Sequence, residues 1–301
     1  MNDSRTPVTV LGLGRMGAAI AEIFLRNGHP TTVWNRSPGK AIQLDAAGAH
    51  RAGTLAAAVD AGRLIVVAVN DTGAAAALLA DRTSPLDGRT VLNVSTGRPD
   101  EARDLATWVA DHGGHFLDGG ILGVPQTLAT PDTLLMYSGA PEAQAEHGDT
   151  IAELGTAKYL GADAGLAGLH DMAVLAGMYG LFGGFFQAVA MVGTERFAAG
   201  EFTADFLGPW LRSVLELLPT LAAEIDSGEF PVNFSDLAVN QAGLINIRKA
   251  SRNQGVATDL LDPLQRLFDR QVELGNGADS FTRAVSGLRE VPAAAGTPSI
   301  G

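Results

Sequence analysis

A glycine-rich loop between a short apolar strand and an amphipathic helix constrains this chain more than any other feature. Residues 8–17 read VTVLGLGRMG, and a helical spacing of apolar side chains follows at once. This is the strand–loop–helix context in which G-x-G-x-x-G binds a dinucleotide. Gly12 would permit the tight turn, Gly14 would let the backbone approach a pyrophosphate, and Gly17 would let helix and strand pack closely. The loop residues expected to contact the cofactor are Gly12, Leu13, Gly14, Arg15, Met16 and Gly17.

Length, charge and composition narrow the classes of protein. A chain of 301 residues exceeds the size at which single cores stop growing, which favours two domains. The net charge of −12 disfavours nucleic acid or an anionic membrane surface as a partner. Because cysteine is absent, disulfides and thiolate metal sites are excluded, and we expect no metal cofactor. The first residues, MNDSRTP, lack the apolar core of a signal peptide, so we expect a cytoplasmic protein.

The end of the second strand indicates which dinucleotide is bound. The strand pattern Thr31–Asn35 ends on Asn35, at the place where NAD-binding domains carry an acidic residue for the ribose 2′-hydroxyl. A carboxylate there would repel a 2′-phosphate, whereas Arg36 would pair with it and Asn35 and Ser37 can donate hydrogen bonds. We therefore predict NADP(H) as the cofactor.

Two further strand patterns place polar residues where a bound cofactor would lie. Strands are predicted at Leu64–Val69 and Thr90–Val94, and ligands collect at the carboxyl ends of parallel strands. The cofactor contacts expected there are Val69, Asn70, Asn93, Ser95 and Thr96. Thr96 is also predicted to be the N-cap of a helix over residues 101–112. Asp118 is interpreted as a structural residue at the end of a strand.

Strands and helices alternate as far as residue 161, which predicts a doubly wound, largely parallel sheet with a long loop at Gly120–Pro131. After that point only helical periods occur, with long helices predicted at Ala164–Phe197 and Phe206–Ile225. The predicted organisation is a dinucleotide-binding Rossmann domain at 1–161, a long interdomain helix at 162–197, an all-α dimerisation and substrate domain at 198–290 and a disordered tail at 291–301.

The long helix carries a stretch without charge, Met172–Thr194, which is long enough to cross a bilayer. Glycines and Gln187 dilute it, and no basic cluster flanks it, so we interpret it as a buried helix and predict no membrane partner. A helix that is apolar on nearly every face cannot be covered by a small monomeric domain. We therefore predict an intertwined homodimer in which the partner subunit buries this helix.

Several longer stretches together resemble the imine reductase family, which includes reductive aminases and is related to the β-hydroxyacid dehydrogenases. The resemblance runs from about Val8 to Leu288. The first stretch is shared with the wider superfamily, and the later ones are more discriminating. The stretches are GLGRMGAAIAEIFLRNGHPTTVWNRS, LNVSTGRPDEARDLATW, GGILGVPQTLATPDTLLMYSG, HDMAVLAGMYGLFGGF and NQAGLINIRKASRNQGV.

The sequence departs from the β-hydroxyacid dehydrogenase pattern at two places. Those enzymes carry a lysine general acid on the long helix with an asparagine one turn later, and in our alignment Ala167 and Asp171 occupy these places. Their Ser-Gly-Gly stretch, which grips a substrate carboxylate, corresponds to 121–124, which has no hydroxyl. Without the lysine, hydride transfer to a ketone lacks its proton donor.

The resemblance implies roles for particular residues. Asp171 would hold the amine or iminium and act as acid and base, Tyr179 would hydrogen-bond or protonate the imine nitrogen, and Asn93 would position the carbonyl or amine. Asp171 and Tyr179 lie eight positions apart on one predicted helix, about 12 Å along its axis. The residues implied in the substrate pocket are Val124, Trp210 and Asn240, the last two contributed by the partner subunit.

These observations predict an NADPH-dependent oxidoreductase that reduces C=N bonds of cyclic imines and iminium ions, with reductive amination of ketones by amines as an extension. The nicotinamide supplies the hydride, so the chemistry needs no metal. Two alternatives stay open at this point. One is a C=O reductase of the β-hydroxyacid dehydrogenase type, and the other is an NADP-binding regulator without turnover.

Overall fold

The first strand lies inside an eight-stranded sheet of order β3-β2-β1-β4-β5-β6-β7-β8. The strands are β1 (Val8–Leu11), β2 (Thr31–Trp34), β3 (His50–Arg51), β4 (Leu64–Val67), β5 (Thr90–Asn93), β6 (His115–Leu122), β7 (Leu134–Gly139) and β8 (Thr156–Tyr159). They belong to a computed structural model that describes residues 5–81 and 85–289. All neighbouring strands pair in parallel except β6 and β7, which are antiparallel. The predicted doubly wound, largely parallel sheet is confirmed.

Helices cover both faces of this sheet because its central strands are apolar on both sides. They are α1 (Arg15–Arg26), α2 (Gln43–Ala46), α3 (Leu55–Ala61), α4 (Thr72–Ala80), α5 (Pro99–Asp111) and α6 (Pro141–Ala152). Val8 and Val10 pack with α1, α2 and α6, whereas the alternate residue Leu11 packs with α3, α4 and α5. The period of two along β1 therefore divides the core into two layers.

The order of the strands creates a crevice at one edge of the sheet. β1 is flanked by β2 on one side and by β4 on the other, with Leu11 in register with both Trp34 and Val67. The chain thus moves outward in opposite directions from β1 and β4. In open α/β sheets this switch point, at the carboxyl ends of the strands, is where ligands bind.

β6 is twice as long as the strand beside it and extends past the edge of the sheet. Its last pair with β5 is Asp118 with Asn93. The four residues that follow, 119–122, pair with the antiparallel strand β7 alone. The long loop expected at Gly120–Pro131 is therefore shorter than predicted, since the glycine-rich stretch that we interpreted as a loop continues the strand.

The rest of the chain is helical. Its elements are α7 (Gly165–Gly193), α8 (Ala199–Phe202), a π-helical turn (Thr203–Leu207), α9 (Gly208–Leu215), α10 (Leu218–Ser227), α11 (Leu237–Asn253), α12 (Asp262–Glu273), a 3-10 turn (Phe281–Val285) and α13 (Ser286–Arg289). The chain divides into two compact units, Met1–Gly177 and Met178–Gly301, within α7. In the second unit α11, α12 and the 3-10 turn share a small core that includes Leu244 and Phe268. Among the described residues after 163, the β-type backbone pairing consists of one isolated bridge between Asp236 and Ser280.

Three predicted helix limits were wrong. The long helix ends at Gly193 rather than Phe197, and Arg196 then takes a left-handed conformation with φ 61°. The helix expected at Phe206–Ile225 is divided, because Pro209 and Pro219 stand in the first turns of α9 and α10, where a proline fits and a helix interior does not tolerate one.

The third wrong limit lies after β5. The helix α5 begins at Pro99, so Thr96 is not its N-cap. Instead, the carboxylate of Glu101 accepts a hydrogen bond from the backbone N–H of Arg98 at 2.9 Å. This contact satisfies the backbone N–H of the N-cap residue, as an acidic side chain three positions later commonly does.

The long helix α7 is largely exposed in the part of the chain that the structure describes, and its predicted burial by a partner subunit stays a prediction. Its exposed apolar side chains include Leu169, Val174, Phe182 and Phe186. By length and composition, α7 is the helix among the described residues that could cross a membrane. The tail predicted at 291–301 lies outside the described residues.

Candidate active site

The glycine-rich loop has the geometry that its sequence predicts. Gly12 has φ 94°, and a Cβ atom there would lie 2.4 Å from the carbonyl oxygen of Ala68 on β4's extension. A Cβ atom on Gly17 would lie 1.9 Å from the carbonyl oxygen of Gly12. Gly14 is exposed, with no atom within 4 Å of its Cβ position. Two glycines therefore allow close packing, and the third leaves open space for a ligand at the loop.

The start of α1 offers unpaired donors beside this space. Gly14 is the N-cap and provides no side-chain hydrogen bond. The first backbone N–H groups of a helix, here those of Arg15, Met16 and Gly17, have no partner within the helix. The N–H of Leu13 is already used, because it donates to Oδ1 of Asn35 at 3.0 Å. The crevice thus fits a pyrophosphate, whose charge these N–H groups and the helix dipole stabilise.

Asn35 ties the glycine-rich loop to the end of the second strand. Its Nδ2 donates to the carbonyl oxygen of Ser37 at 3.0 Å. Because both ends of this amide have partners within the protein, Arg36 is the residue whose side chain is left for a phosphate. Arg36 and Ser37 are both exposed.

Hydrogen bonds join the segments that follow β4 and β5. The N–H of Val69 donates to the hydroxyl of Ser95 at 3.1 Å, and the N–H of Thr72 donates to the carbonyl oxygen of Thr96 at 3.2 Å. Asn70 and Thr96 are exposed at the same edge, and Val69 is half-buried. The structure therefore brings these predicted cofactor residues together at the edge of the sheet that carries the glycine-rich loop.

Asn93 is fully buried and its amide group is committed to protein partners. Its Nδ2 donates to Oδ1 of Asp118 at 2.8 Å and also lies within 3.3 Å of the hydroxyl of Thr72 and the carbonyl oxygen of Ser95. Its Oδ1 accepts from the N–H of Ser95 at 3.2 Å. In the single chain the amide of Asn93 is therefore hydrogen-bonded within the protein, and its predicted contact with substrate stays a prediction.

Asp118, which was predicted to end a strand, is a buried acid beside Asn93. It lies within β6, 5% exposed, and accepts hydrogen bonds from Asn93 and from the backbone N–H of Gly168 on α7. The pKa of Asp118 is raised to about 7, mainly by burial and also by the charge of Asp171, against the lowering effect of these two donors. The signal in the sequence was a carboxylate inside an apolar strand pattern, where an acid without a role is costly.

Asp171 lies against the same strand, two residues further on. It is 7% exposed, and a Cβ atom on Gly120 would lie 2.9 Å from its Cβ and 3.1 Å from its Oδ1. Burial raises the pKa of this carboxyl. Within the described residues no donor is hydrogen-bonded to it and no cation acts on it, although the chain has three lysines. An acid in such a place is available for a cationic or protonated ligand.

The other predicted pocket residues lie elsewhere along the chain. Tyr179 lies on α7 eight residues after Asp171, in the second unit, and is 67% exposed beside Phe182. Val124 is exposed in the turn after β6. Two more lie in the second unit. They are Trp210, exposed on α9, and Asn240 on α11, whose Nδ2 donates to Ser235 at 2.8 Å.

A dinucleotide crevice at the carboxyl ends of the strands, with the buried acids Asp118 and Asp171 on β6 and α7, is typical of an NAD(P)-dependent oxidoreductase. Comparison with known proteins narrows this class. The sequence model of the NAD binding domain of 6-phosphogluconate dehydrogenase matches residues 7–162. That of the C-terminal domain of NADPH-dependent reductive aminase-like proteins matches residues 163–290.

Individual relatives agree over nearly the whole chain. An NADPH-dependent reductive aminase of Aspergillus oryzae is 36% identical over 281 residues, which cover 92% of this chain and 95% of the relative. The structure of a reductive aminase from Aspergillus terreus with NADPH and ethyl levulinate has a TM-score of 0.89 and 41% identity, covering 95% and 100% of the two chains. An imine reductase from the same organism, with NADPH4 and dibenz[c,e]azepine, has a TM-score of 0.88 and 40% identity, covering 94% and 99%.

The chain belongs to the family of NADPH-dependent reductive aminases and imine reductases. The family predicted from the sequence stretches is therefore confirmed, and so are the fold class of its domains and NADP(H) as the cofactor. The predicted roles of single residues are not decided by these comparisons and stay predictions.

Proposed function

We propose that this chain reduces the C=N bonds of imines and iminium ions to amines with NADPH, and that it also joins ketones to amines by reductive amination. The observation that supports this best is the position of Asp171, a buried carboxyl against Gly120 with no cation acting on it. A carboxylate in a water-poor site stabilises a positively charged iminium strongly. A C=O reductase of the β-hydroxyacid dehydrogenase type would carry a lysine near this carboxyl, but no lysine among the described residues acts on Asp171.

The shape of the crevice supports a set of cofactor contacts as part of this proposal. The N–H groups at the start of α1 would hold the pyrophosphate, Arg36 with Ser37 would pair with the 2′-phosphate, and the edge from Val69 to Thr96 would lie under the nicotinamide half. NADPH supplies the hydride when bound. Asn35 would order the loop, given its bond to the N–H of Leu13.

The polar residues divide the remaining work. Asp171 would hold the amine or iminium and donate the proton that removes water from the carbinolamine. Tyr179 would hydrogen-bond the nitrogen. Asn93 would act through Asp118, since its amide is occupied by protein partners. Val124 would line the substrate pocket.

A second copy of the chain would cover the exposed apolar surface of α7. That helix presents Leu169, Val174, Phe182 and Phe186 to solvent, a patch that a soluble monomer rarely leaves open. In such an intertwined homodimer, Trp210 and Asn240 of the partner subunit would complete the substrate pocket. We also propose a Rossmann domain at 1–161, an interdomain segment at 162–197 and a helical domain at 198–290, in a cytoplasmic protein.

Consumption of NADPH with a panel of substrates tests the function. We expect turnover with a cyclic imine such as 1-pyrroline and with a ketone plus an amine. Turnover only of a hydroxyacid with NADP+ would refute the proposal in favour of a C=O reductase. Binding of NADPH without turnover of any substrate would refute it in favour of a regulator. Sedimentation velocity tests the dimer, and a monomer at micromolar concentration would exclude it.

A further inference from the structure

Two carboxyl groups, those of Asp118 and Asp171, are buried where β6 meets the start of α7. Asp118 and Gly120 are two positions apart on the strand, about 6.6 Å, and therefore face the same side. A Cβ atom on Gly168 would lie 3.4 Å from Oδ2 of Asp118, and one on Gly120 would lie 3.1 Å from Oδ1 of Asp171. Each carboxyl thus rests against a glycine of the opposite element, and the absence of a side chain at both glycines admits two acids between strand and helix.

The surroundings of Asp118 contain hydrogen-bond donors but no free cation among the described residues. Ser138 lies opposite Asp118 in register on β7, and its hydroxyl donates to Ala164 instead. The helices α5 and α6 also pack against β6 and carry Arg103 and His147. Arg103 pairs with Asp163 at 2.8 Å. Burial lowers the pKa of His147, so its ring is neutral at neutral pH.

The two carboxyls differ in their partners. Asp118 accepts hydrogen bonds from Asn93 and from the N–H of Gly168, whereas Asp171 accepts none from the described residues. Two carboxylates that share a buried site without a cation do not both ionise at neutral pH, and they titrate as one coupled pair. The donors favour the charged form of Asp118, and Asp171 is the member left open to a ligand.

We propose that Asp118 is a positioning residue of the reaction: together with Asp171 it forms a buried carboxyl pair that keeps one proton at neutral pH, and Asp171 delivers that proton to the substrate. This inference rests on the proposed function. In this proposal Asp118 acts through its effect on the protonation of Asp171, and Asn93 holds Asp118 in place.

The proton balance of reductive amination fits such a pair. During dehydration the C–O bond of the carbinolamine breaks, its oxygen takes the proton of the pair and leaves as water, and the nitrogen lone pair forms the C=N bond. The pair then carries two negative charges beside one iminium cation. After hydride addition the product amine is neutral, and the pair recovers one proton from solvent. Each cycle therefore consumes one proton from solvent, as the overall reaction requires.

The variant Asp118→Asn tests the pair, because it keeps the shape of the side chain and removes its charge. Rates are measured from pH 5 to 9 with a ketone plus an amine, and with an N-alkylated cyclic iminium that needs no proton. The alkaline limit is the pH at which the rate of the ketone–amine reaction falls on the alkaline side of its profile. We expect this limit to move about one to two pH units lower, because the charge of Asp118 no longer helps to hold the proton on Asp171. At pH 8 the factor by which the variant is slower than wild type should be at least ten times larger with ketone and amine than with the iminium. An unmoved limit, or equal losses with both substrates, overturns the inference.

Asp163→Asn is the matched control. Asp163 is also an acid, two residues before α7, but it is exposed and paired with Arg103. This variant should keep the wild-type pH profile. If wild type reduces neither the imine nor the iminium, the proposed function is wrong. If wild type is active but the limit does not move in the Asp118 variant, only the inference of a carboxyl pair is wrong.

A second measurement covers the case in which Asp118→Asn does not fold, as judged by loss of NADPH binding. The infrared band of a protonated carboxyl is titrated in wild type and in Asp171→Asn without substrate. Removing the neighbouring acid should lower the pH at which the band disappears by at least one unit. A band that disappears at the same pH in both proteins contradicts the pair.

Discussion

Replacing Gly120 with alanine should impair catalysis while leaving the cofactor crevice intact. The new methyl group would stand 2.9 Å from Cβ of Asp171 and 3.1 Å from its Cγ and Oδ1. Ordinary contacts of this kind are 3.4 Å or longer, so the shortest one is too close by about 0.5 Å. Because both positions belong to regular elements, α7 or the Asp171 side chain has to move.

The size of the effect follows from this overlap. Overfilling a packed interior costs about 1–3 kcal/mol, which should lower the melting temperature by several degrees. A catalytic group displaced by about 1 Å loses up to ~100-fold in rate. We therefore expect kcat for imine reduction to fall about 10- to 100-fold and the dissociation constant for NADPH to stay within about threefold.

Gly119→Ala is the control for this variant. A Cβ atom on Gly119 would meet Leu92 and Val94 at 3.5 Å, which is ordinary contact on the opposite face of the strand. The two variants are compared by initial rates of NADPH consumption, by fluorescence titration with NADPH and by thermal unfolding. Equal kcat values for the Gly119 and Gly120 variants would refute the placement of Asp171 at the reacting centre.

Four further outcomes are expected. Asp171→Ala should remove most of the rate with NADPH affinity nearly unchanged, and activity within a few-fold of wild type would contradict its role. Arg36→Glu should raise the KM for NADPH far more than that for NADH, and equal effects would show that the arginine does not contact the phosphate. Gly17→Ala, whose Cβ would lie 1.9 Å from an oxygen of Gly12, should abolish NADPH binding and lower the melting temperature, as thermal unfolding with and without NADPH would reveal. Because burial raises the pKa of Asp118 from 3.8 to about 7, the native state binds the extra proton between these values, and stability should fall as pH rises through this window, by up to about 4 kcal/mol; denaturant unfolding at pH 5 and 8 should show a smaller fall in Asp118→Asn.

The dinucleotide half of the fold could be predicted because its signals are local. The strand, the loop with Gly12 and Gly17 and the helix after it are contiguous, and each residue choice agrees with the others. The division of the helix after residue 206 was also visible locally. Pro209 and Pro219 are start signals for helices, and the prediction treated them as interior residues.

The carboxyl cluster could be predicted only in part, because its contacts join distant parts of the chain. Asp171 was found through family resemblance and through its place at the start of a stretch without charge. Asp118 was missed because its burial depends on α7, whose Gly168 lies 50 positions later, and on Asn93 in the neighbouring strand. Alternation along β6 predicts which face an acid occupies, but it does not predict what covers that face.

The extension of β6 beyond β5 has a consequence for how this enzyme acquires new specificities. Residues 119–122 and the turn that carries Val124 protrude about 13 Å from the parallel core, held by a single antiparallel neighbour. Insertions or replacements in that turn would alter the shape presented to a substrate without disturbing any parallel strand. Variation in this family should therefore accumulate in the turn that carries Val124, while Gly120 and the crevice for the nucleotide tolerate little change.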